Sequence, residues 1–240
     1  MERKTFLRNS LGLFSTAAIL SACKKDDTSA TGSGTATGSG SCIVMPEEVE
    51  GPYPYPGGEL TNPLNRSDIV GGQSGVPLTL DFTVVNANAS CAAVSGARVD
   101  IWHCNNLGYY SGYANQPGIS GTQSYTGQTW LRGYQLADSN GKLQFVTIYP
   151  GWYSGRATHI HLEVFVNNVL KKTSQITFSE TISDTVHTSS LYAAHGTNTT
   201  RNASDSIFGN SSTDLANETV ALTGSVAAGY SGSYSIGIAL

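Results

Sequence analysis

The sequence predicts an all-β fold, a single β-sandwich or a partly closed barrel with long loops. Leu78, Leu80, Phe82 and Val84 alternate with polar residues, which is the period-two pattern of a strand with one buried face. No comparable helical stripe occurs along the 240 residues. Charged residues make up only 12% of the chain, and its 27 glycines, with many serines and threonines, suit frequent turns between strands.

The remaining strands follow from the same alternation and from the turn residues between the apolar runs. They are predicted at residues 99–104, 130–137, 142–148, 159–166, 174–178 and 233–240. We expect 130–137 and 142–148 to form a hairpin closed by Asn140-Gly141, and 174–178 to pair with 159–166 across Asn167-Asn168. Residues 180–226 are rich in Ser, Thr, Asn and Asp and are expected to be long surface loops.

Residues 1–22 have the pattern of a signal peptide, in which three basic residues precede a short apolar stretch (Arg3, Lys4 and Arg8, then 11–20). The apolar stretch is too short to span a bilayer. Leu20-Ser21-Ala22-Cys23 resembles the bacterial lipobox, so Cys23 is expected to carry lipid and to become the mature N-terminus. The exported protein would be anchored to a bacterial membrane, on its periplasmic face or at the cell surface, with Sec and twin-arginine export both open.

Composition separates the rest of the chain into a linker and one folded domain. Residues 23–41 are rich in Gly, Ser and Thr and are predicted to be a flexible tether, so the domain spans 42–240. With Cys23 assigned to lipid, we expect a disulfide between Cys42 and Cys91 in an oxidising compartment. Cys104 lies within a strand pattern and is expected to be a small buried residue.

The charge of the chain argues against a nucleic-acid partner. The formal net charge is -4 and the pI is near 5.7. Removal of residues 1–22 would delete three basic residues and one acidic residue, which makes the chain more negative still. Neither form offers a basic surface that could neutralise phosphates.

His159-Ile160-His161 is the first sequence feature with chemical content. In a strand the two imidazoles point to one side together with Glu163, while Ile160 and Leu162 point to the other side and into the core. The histidine side could bind a metal, or it could be an ordinary polar face. The histidine pair alone does not decide between these interpretations.

The segment just upstream favours the metal-binding interpretation of the two histidines. Pro150-Gly151-Trp152-Tyr153 is followed by Arg156 and then by His159-Ile160-His161, and this series resembles the signature of the intradiol ring-cleavage dioxygenases. Residues 101–111 are similar to the strand and loop that supply the family's other tyrosine ligand, and the spacing after Trp102 selects Tyr110. Glu50-Gly51-Pro52-Tyr53 resembles the motif at the mouth of the active site, and Gln175 matches the position of a glutamine behind the ligands.

The resemblance implies a ferric ion bound by Tyr110, Tyr153, His159 and His161. It also implies that Tyr53, Arg156 and Gln175 contact a small aromatic diol, and that Tyr153, Arg156 and Gln175 assist its cleavage with O2 to a muconate-type dicarboxylate. The donor chemistry agrees independently, because two hard phenolates and two imidazoles favour Fe(III) over softer metals, whereas zinc more often binds Cys, His or carboxylate. The other histidines lack such neighbours, so we interpret His103 as structural and His187 and His195 as loop residues.

The match departs from the family pattern at two places. Ser154 and Ala157 stand where many members have proline, in a short loop that shapes the substrate pocket. The chain has no room for the helical region of the catechol 1,2-dioxygenase branch, so the architecture is expected to be closer to the protocatechuate 3,4-dioxygenase catalytic domain. The ring substituents of the substrate and the oligomeric state stay open.

One alternative comes from a different class of protein. A surface-anchored β-sandwich that binds carbohydrate or another protein would use the tyrosines and Trp152 as stacking residues, with incidental histidines. The predicted lipid anchor and the Ser- and Thr-rich loops fit this alternative equally well.

Overall fold

A computed structural model describes residues 43–240, in which ten strands form two five-stranded sheets. The strands in chain order are β1 (Pro77–Asn86), β2 (Ala92–Ala93), β3 (Arg98–Trp102), β4 (Arg132–Leu136), β5 (Lys142–Ile148), β6 (His159–Val166), β7 (Val169–Phe178), β8 (Thr219–Val220), β9 (Thr223–Ser225) and β10 (Gly229–Ile238). Two short α-helices are α1 (Glu180–His187) and α2 (Ser212–Glu218). Single 3-10 turns occur at Glu59–Thr61, Ala87–Ala89, Asn202–Ser204 and Phe208–Asn210.

The first sheet is organised around β1. The path β2-β1-β10-β9 is joined by β5, which also pairs with β1. β10 runs parallel to β1 along its length, from Leu78 opposite Tyr230 to Asn86 opposite Ile238. The predicted closing strand is therefore confirmed, and it begins a few residues earlier than the sequence pattern suggested.

The second sheet has the order β4-β3-β6-β7-β8. β6 lies at its centre, antiparallel to both β3 and β7. The reversal between β6 and β7 uses Asn167 and Asn168 with φ of 53° and 60°, the left-handed pair that a tight hairpin turn needs. The predicted pairing of these two strands is confirmed.

The predicted hairpin of 130–137 with 142–148 is wrong. The turn itself forms, since Gly141 donates its N–H to the carbonyl of Asp138 at 3.0 Å. The two strands then separate, because β4 pairs with β3 in the second sheet while β5 pairs with β1 in the first. A turn signal determines where the chain reverses, but the hydrogen-bonding partner depends on distant strands.

The prediction of long surface loops over 180–226 holds only in part. This stretch contains α1, α2, β8, β9 and two of the 3-10 turns. The helices are only eight and seven residues long, too short to show a clear apolar period. Ser211 caps α2 by accepting a hydrogen bond from the N–H of Asp214. His187, which we expected in a loop, is the last residue of α1 and is buried.

The two sheets pack face to face around one apolar core, which confirms the all-β sandwich prediction. Leu80 and Phe82 of the first sheet meet Ile160 and Leu162 of the second in the same buried cluster. The described strands form two mixed sheets and do not close into a barrel. One face of β6 is part of this core, so its other face points away from the core.

The cysteines within the described range agree with the sequence interpretation. Cys91 is disulfide-bonded, and Cys104 is free and buried. The predicted partner Cys42 lies outside the described residues. The same holds for the predicted signal peptide, for Cys23 and for the tether up to residue 41.

Among the helices of the described residues, neither is long and apolar enough to cross a membrane.

Candidate metal centre and active site

The site is built on the face of β6 that points away from the sandwich core. His159 and His161 share this face, as the period of the strand requires. The face is not open to solvent, since the two side chains are 2% and 0% exposed. Across the sheet His161 stands in register with Trp102 of β3 and Gln175 of β7. The Trp102 ring stacks on the His161 ring with centroids 5.0 Å apart and planes within 3°.

Three ligand-type atoms converge in this buried space. His159 Nε2 lies 3.0 Å from His161 Nε2, and the hydroxyl oxygen of Tyr110 lies 3.4 Å and 3.2 Å from these two nitrogens. His159 Nδ1 is 2.6 Å from the carbonyl of Ala157. A carbonyl can only accept, so Nδ1 carries the proton and Nε2 has a free lone pair directed at the centre. The Nδ1 of His161 is buried without a hydrogen-bond partner.

Tyr110 is held in place through its backbone. Gln116, which is buried, accepts from the N–H of Tyr110 at 2.8 Å and donates to its carbonyl at 2.7 Å. The Tyr53 ring stacks on the Tyr110 ring at 4.7 Å between centroids. Tyr109 points elsewhere, since its hydroxyl donates to Gly121 in a separate apolar cluster. The geometry thus brings Tyr110, and not its neighbour, to the histidines.

Tyr153 lies at the rim of the same space and is only partly buried. Its ring meets those of Tyr110 and His159 edge to face, with centroids 5.8 and 5.5 Å apart. Its hydroxyl accepts from Arg156 Nη1 at 3.5 Å. Of the four predicted ligands, Tyr110 and the two histidines therefore converge most closely, while Tyr153 contacts the cationic side chain next to them.

Arg156 is fixed by two side chains from distant parts of the chain. Its Nε donates to Asp205 at 2.9 Å, and its Nη2 donates to Gln175 Oε1 at 2.6 Å. Gln175 in turn donates to the carbonyl of Val49 at 2.9 Å. Asp205 was missed by the sequence analysis because it lies in 180–226, where its type matches ordinary turn residues. In the structure its Oδ1 accepts from the N–H groups of Ile207 and Phe208, as turn-forming aspartates do, so its residue type alone did not distinguish it from a turn residue.

Burial sets the protonation of the candidate ligands. Burial, and then the charge of Arg156, lowers the pKa of His159 to about 3, so this imidazole is neutral and available as a ligand. Burial likewise lowers the pKa of His161 well below its ordinary value. Burial raises the pKa of Tyr153 to about 12 and that of Tyr110 well above its ordinary value. The phenols would therefore ionise only beside a strong positive charge, such as a trivalent metal ion.

Two glycines allow the ligand-bearing loops to touch. A Cβ on Gly108, whose φ is +87°, would lie 2.2 Å from the carbonyl oxygen of Trp152. A Cβ on Gly151 would lie 2.4 Å from the carbonyl oxygen of Asn105. The loop that carries Tyr110 and the loop that carries Tyr153 are thus in backbone contact.

Gly108→Ala should therefore destabilise the protein and disturb the site. The left-handed backbone alone costs about 1–2 kcal/mol for a residue with a Cβ, and the clash with Trp152 adds to it. Gly72→Ala is the matched control, because Gly72 has φ +80° but no atom within 4 Å of its Cβ position. Urea unfolding of both variants measures the difference. Equal losses of stability would show that the loops do not need this close approach.

The other histidines lie outside the centre. His103 is buried, with Nε2 2.7 Å from Thr147 Oγ1 and Nδ1 2.8 Å from the carbonyl of Cys104, which fits a structural role. The His195 ring lies 3.8 Å from the Trp152 ring. Both rings border a cavity of about 440 Å³, which is also lined by Tyr153, Leu107, Pro117 and Ile119. Tyr153 is the predicted ligand that borders this cavity, and the cavity volume is large enough for a small aromatic molecule.

Comparison with known proteins identifies relatives of this chain. A family model described as "Dioxygenase" matches residues 49–208, which is two thirds of the chain. The chain is also 28% identical over 148 residues to catechol 1,2-dioxygenase 1 of Acinetobacter lwoffii. That alignment covers 54% of this chain and 45% of the relative, so the chain spans less than half the length of the curated relative it matches.

Solved structures show the same likeness. An intradiol ring-cleavage dioxygenase from Tetranychus urticae superposes with a TM-score of 0.72 at 28% identity, covering 82% of this chain and 95% of that one. Catechol 1,2-dioxygenase from Pseudomonas arvilla C-1 shares the fold with a TM-score of 0.51 at 20% identity, covering 81% and 62% of the two chains. The matched region contains the histidine strand, both loops and Asp205.

Proposed function

The chain belongs to the intradiol ring-cleavage dioxygenase family, and from this premise we propose that it cleaves a catechol between its two hydroxylated carbons. The reaction would consume O2 and release a muconate-type dicarboxylate. The observation that carries the proposal is the convergence of the Tyr110 hydroxyl with the Nε2 atoms of His159 and His161, within 3.4 Å of one another.

We propose Fe(III) as the cofactor, held by Tyr110, Tyr153, His159 and His161. The fixed tautomer of His159 supports it, because the lone pair of Nε2 faces the other donors. Two phenolates and two imidazoles suit a hard trivalent ion. When bound, the ferric ion would polarise the substrate oxygens, lower the pKa of its hydroxyls and prepare the ring for reaction with O2.

The protein side chains would bind and orient the diol. Tyr153, at the rim of the site, is placed to accept a proton from the incoming substrate, since its phenol is less confined than that of Tyr110. Arg156 carries a permanent positive charge at the Tyr153 hydroxyl and is suited to stabilise negative charge on the bound ring. Gln175 holds the guanidinium and would orient the ring with it. Tyr53 offers an aromatic surface at the mouth.

Product analysis with catechol and substituted catechols tests the proposal. We expect O2 consumption and a dicarboxylate opened between the hydroxylated carbons, supported by ferric and not by ferrous iron. The natively purified protein should also show the red-brown absorption of tyrosinate bound to Fe(III). A yellow semialdehyde would contradict the ligand assignment, and a colourless, iron-free protein would favour the carbohydrate- or protein-binding alternative.

We also propose that Cys23 anchors the domain to a bacterial membrane through lipid. The support is the lipobox-like Leu20-Ser21-Ala22-Cys23 behind a basic and then apolar leader, followed by the Gly- and Ser-rich segment up to residue 41. Cys23→Ala should move the protein from the membrane fraction to the soluble fraction of bacterial cells. If the unchanged protein is wholly soluble and carries no lipid by mass spectrometry, the anchor does not exist.

A further inference from the structure

Three carboxylates lie close together near Tyr110, His159 and His161 but are not among the predicted iron ligands. Glu50, Glu59 and Glu163 come from separate segments, and one carboxylate oxygen of each lies within 4.8 Å of the others. Glu59 and Glu163 are 4% and 5% exposed, whereas Glu50 is exposed to solvent. The cluster is therefore a buried pair of acids with one side open to water.

The hydrogen bonds of this cluster leave one buried carboxylate oxygen without a partner. Glu59 Oε1 accepts from the N–H of Tyr55 at 2.8 Å, but the buried Oε2 of Glu59 has no hydrogen-bond partner. Glu163 Oε1 accepts from the Thr173 hydroxyl at 3.0 Å. The buried Glu59 carboxylate thus lies beside two other acids and has one oxygen without a hydrogen-bond partner, an arrangement that is costly unless a positive charge or a proton joins it.

The basic side chains nearest the cluster form no ion pair with its carboxylates. Arg98 donates to the backbone carbonyl of Glu59 and not to its carboxylate, and the buried Arg132 donates to Ser111. Arg98 pairs with Asp100 at 2.7 Å, and Lys172 pairs with Glu47 at 2.6 Å. None of the ion pairs among residues 43–240 includes a member of the cluster. Burial, followed by the like charges of Glu163, Asp100 and Glu50, raises the pKa of Glu59 to about 8.

We propose that Glu50, Glu59 and Glu163 bind one divalent, oxygen-preferring cation, with Ca²⁺ the best match, at a second site beside the Tyr/His centre. Ca²⁺ takes carboxylate oxygens at about 2.3–2.6 Å, so oxygens on opposite sides of the ion can be almost 5 Å apart. The separation within the cluster fits that range. The exposed Glu50 gives the ion an entry path from solvent.

The site would tie the entry segment to the histidine strand. Glu163 follows His161 by two residues on the same face of β6. Gly51, next to Glu50, packs so closely on His161 that a Cβ there would lie 2.7 Å from the ring. A bound cation would hold Glu50 and Glu59 against β6. It would thereby keep Gly51, the neighbour of Glu50, packed on the His161 ring. Its role is positional and does not depend on the proposed reaction.

The test uses the full protein as purified, dialysed against metal-free buffer and titrated with CaCl2. We expect calorimetry to show one Ca²⁺ per chain and a rise in Tm on Ca²⁺ addition, whether or not the protein contains iron. Glu59→Gln should abolish the binding and the Tm response, and Glu50→Gln should weaken the affinity at least tenfold. Asp81→Asn is the matched control and should respond like the unchanged protein, because Asp81 is an exposed acid on β1.

Two results would overturn the second site. One is the absence of Ca²⁺ binding and of any Tm response in the unchanged protein. The other is Ca²⁺ binding that persists in Glu50→Gln and Glu59→Gln, which would place the ion elsewhere. If Glu59→Gln does not fold, the exposed Glu50→Gln change still decides the matter. Neither readout requires dioxygenase activity, so failure of this site and failure of the proposed function are distinguishable.

Discussion

Tyr153→Phe is expected to slow turnover of catechol by about 10²-fold or more while most of the iron is retained. A positioned proton acceptor commonly contributes that much to catalysis, and Tyr153 lies at the rim where the substrate would arrive. Its loop runs between Gly151 and Gly155, and Gly155 has no atom within 4 Å of its Cβ position, so this part of the loop has space to move.

Tyr110→Phe should have a different effect. Tyr110 is fully buried, and Gln116 clamps its backbone on both sides, so this phenol is suited to remain bound while substrate enters. Its loss should reduce iron content and the resting absorption more than the loss of Tyr153 does. Tyr109→Phe is the matched control, because the Tyr109 hydroxyl contacts Gly121 and Ser120 away from the centre.

Stopped-flow absorption with catechol, together with iron analysis, distinguishes the three variants. If Tyr110→Phe and Tyr153→Phe both have the absorption band and the substrate-binding rate of the wild-type protein, neither tyrosine binds the metal and the proposed ligand set is wrong. Loss of only about 1 kcal/mol of stability with an unchanged spectrum would identify them as packing residues.

Asp205→Ala is expected to lower the free energy of unfolding by about 3–5 kcal/mol and to impair catechol binding. Asp205 is fully buried and pairs with Arg156, whose side chain is 11% exposed. Removal of one partner leaves a buried charge uncompensated, which lowers the stability of the folded state strongly. Asp205 also accepts hydrogen bonds from the backbone of Ala157 and Ile207, so the approach to His159 would loosen as well.

The matched control for Asp205 is a surface pair of the same type. Asp184 and Arg201 form an ion pair with side chains 37% and 45% exposed, so Asp184→Ala should cost less than about 1 kcal/mol. Urea unfolding at pH 7 measures both variants. Similar losses for the two would show that the Arg156–Asp205 pair does not organise the site.

The pH dependence of the Asp205 effect has a defined sign. Burial alone would raise the pKa of Asp205, but hydrogen bonds from Arg156 and Ala157 and the Arg156 charge lower it overall. An acid with a lowered folded-state pKa contributes stability above its unfolded pKa, near 4, and loses it as the pH falls through the folded value. The difference in the free energy of unfolding between the wild-type protein and Asp205→Ala should therefore be present at neutral pH and become smaller in acid.

The sequence by itself determined most of the strands and the orientation of the candidate ligands on β6. Period-two alternation is a local property, so it predicted that His159 and His161 share one face while Ile160 faces the core. The Asn167-Asn168 turn was equally local, because both residues tolerate the left-handed backbone. The family resemblance rested on short motifs whose order along the chain needs no tertiary information.

Only the tertiary structure decided which strands and side chains each of these elements contacts. The same kind of turn signal at Asn140-Gly141 did not predict the strand pairing, because β5 pairs with β1, about 60 residues earlier in the chain. The clamp of Gln116 on Tyr110 and the pairing of Asp205 with Arg156 likewise depend on how loops fold over β6. A polar side chain carries no periodic signal of its distant partner, and burial, which sets the pKa of every group in this site, is a property of the packed sheets and loops.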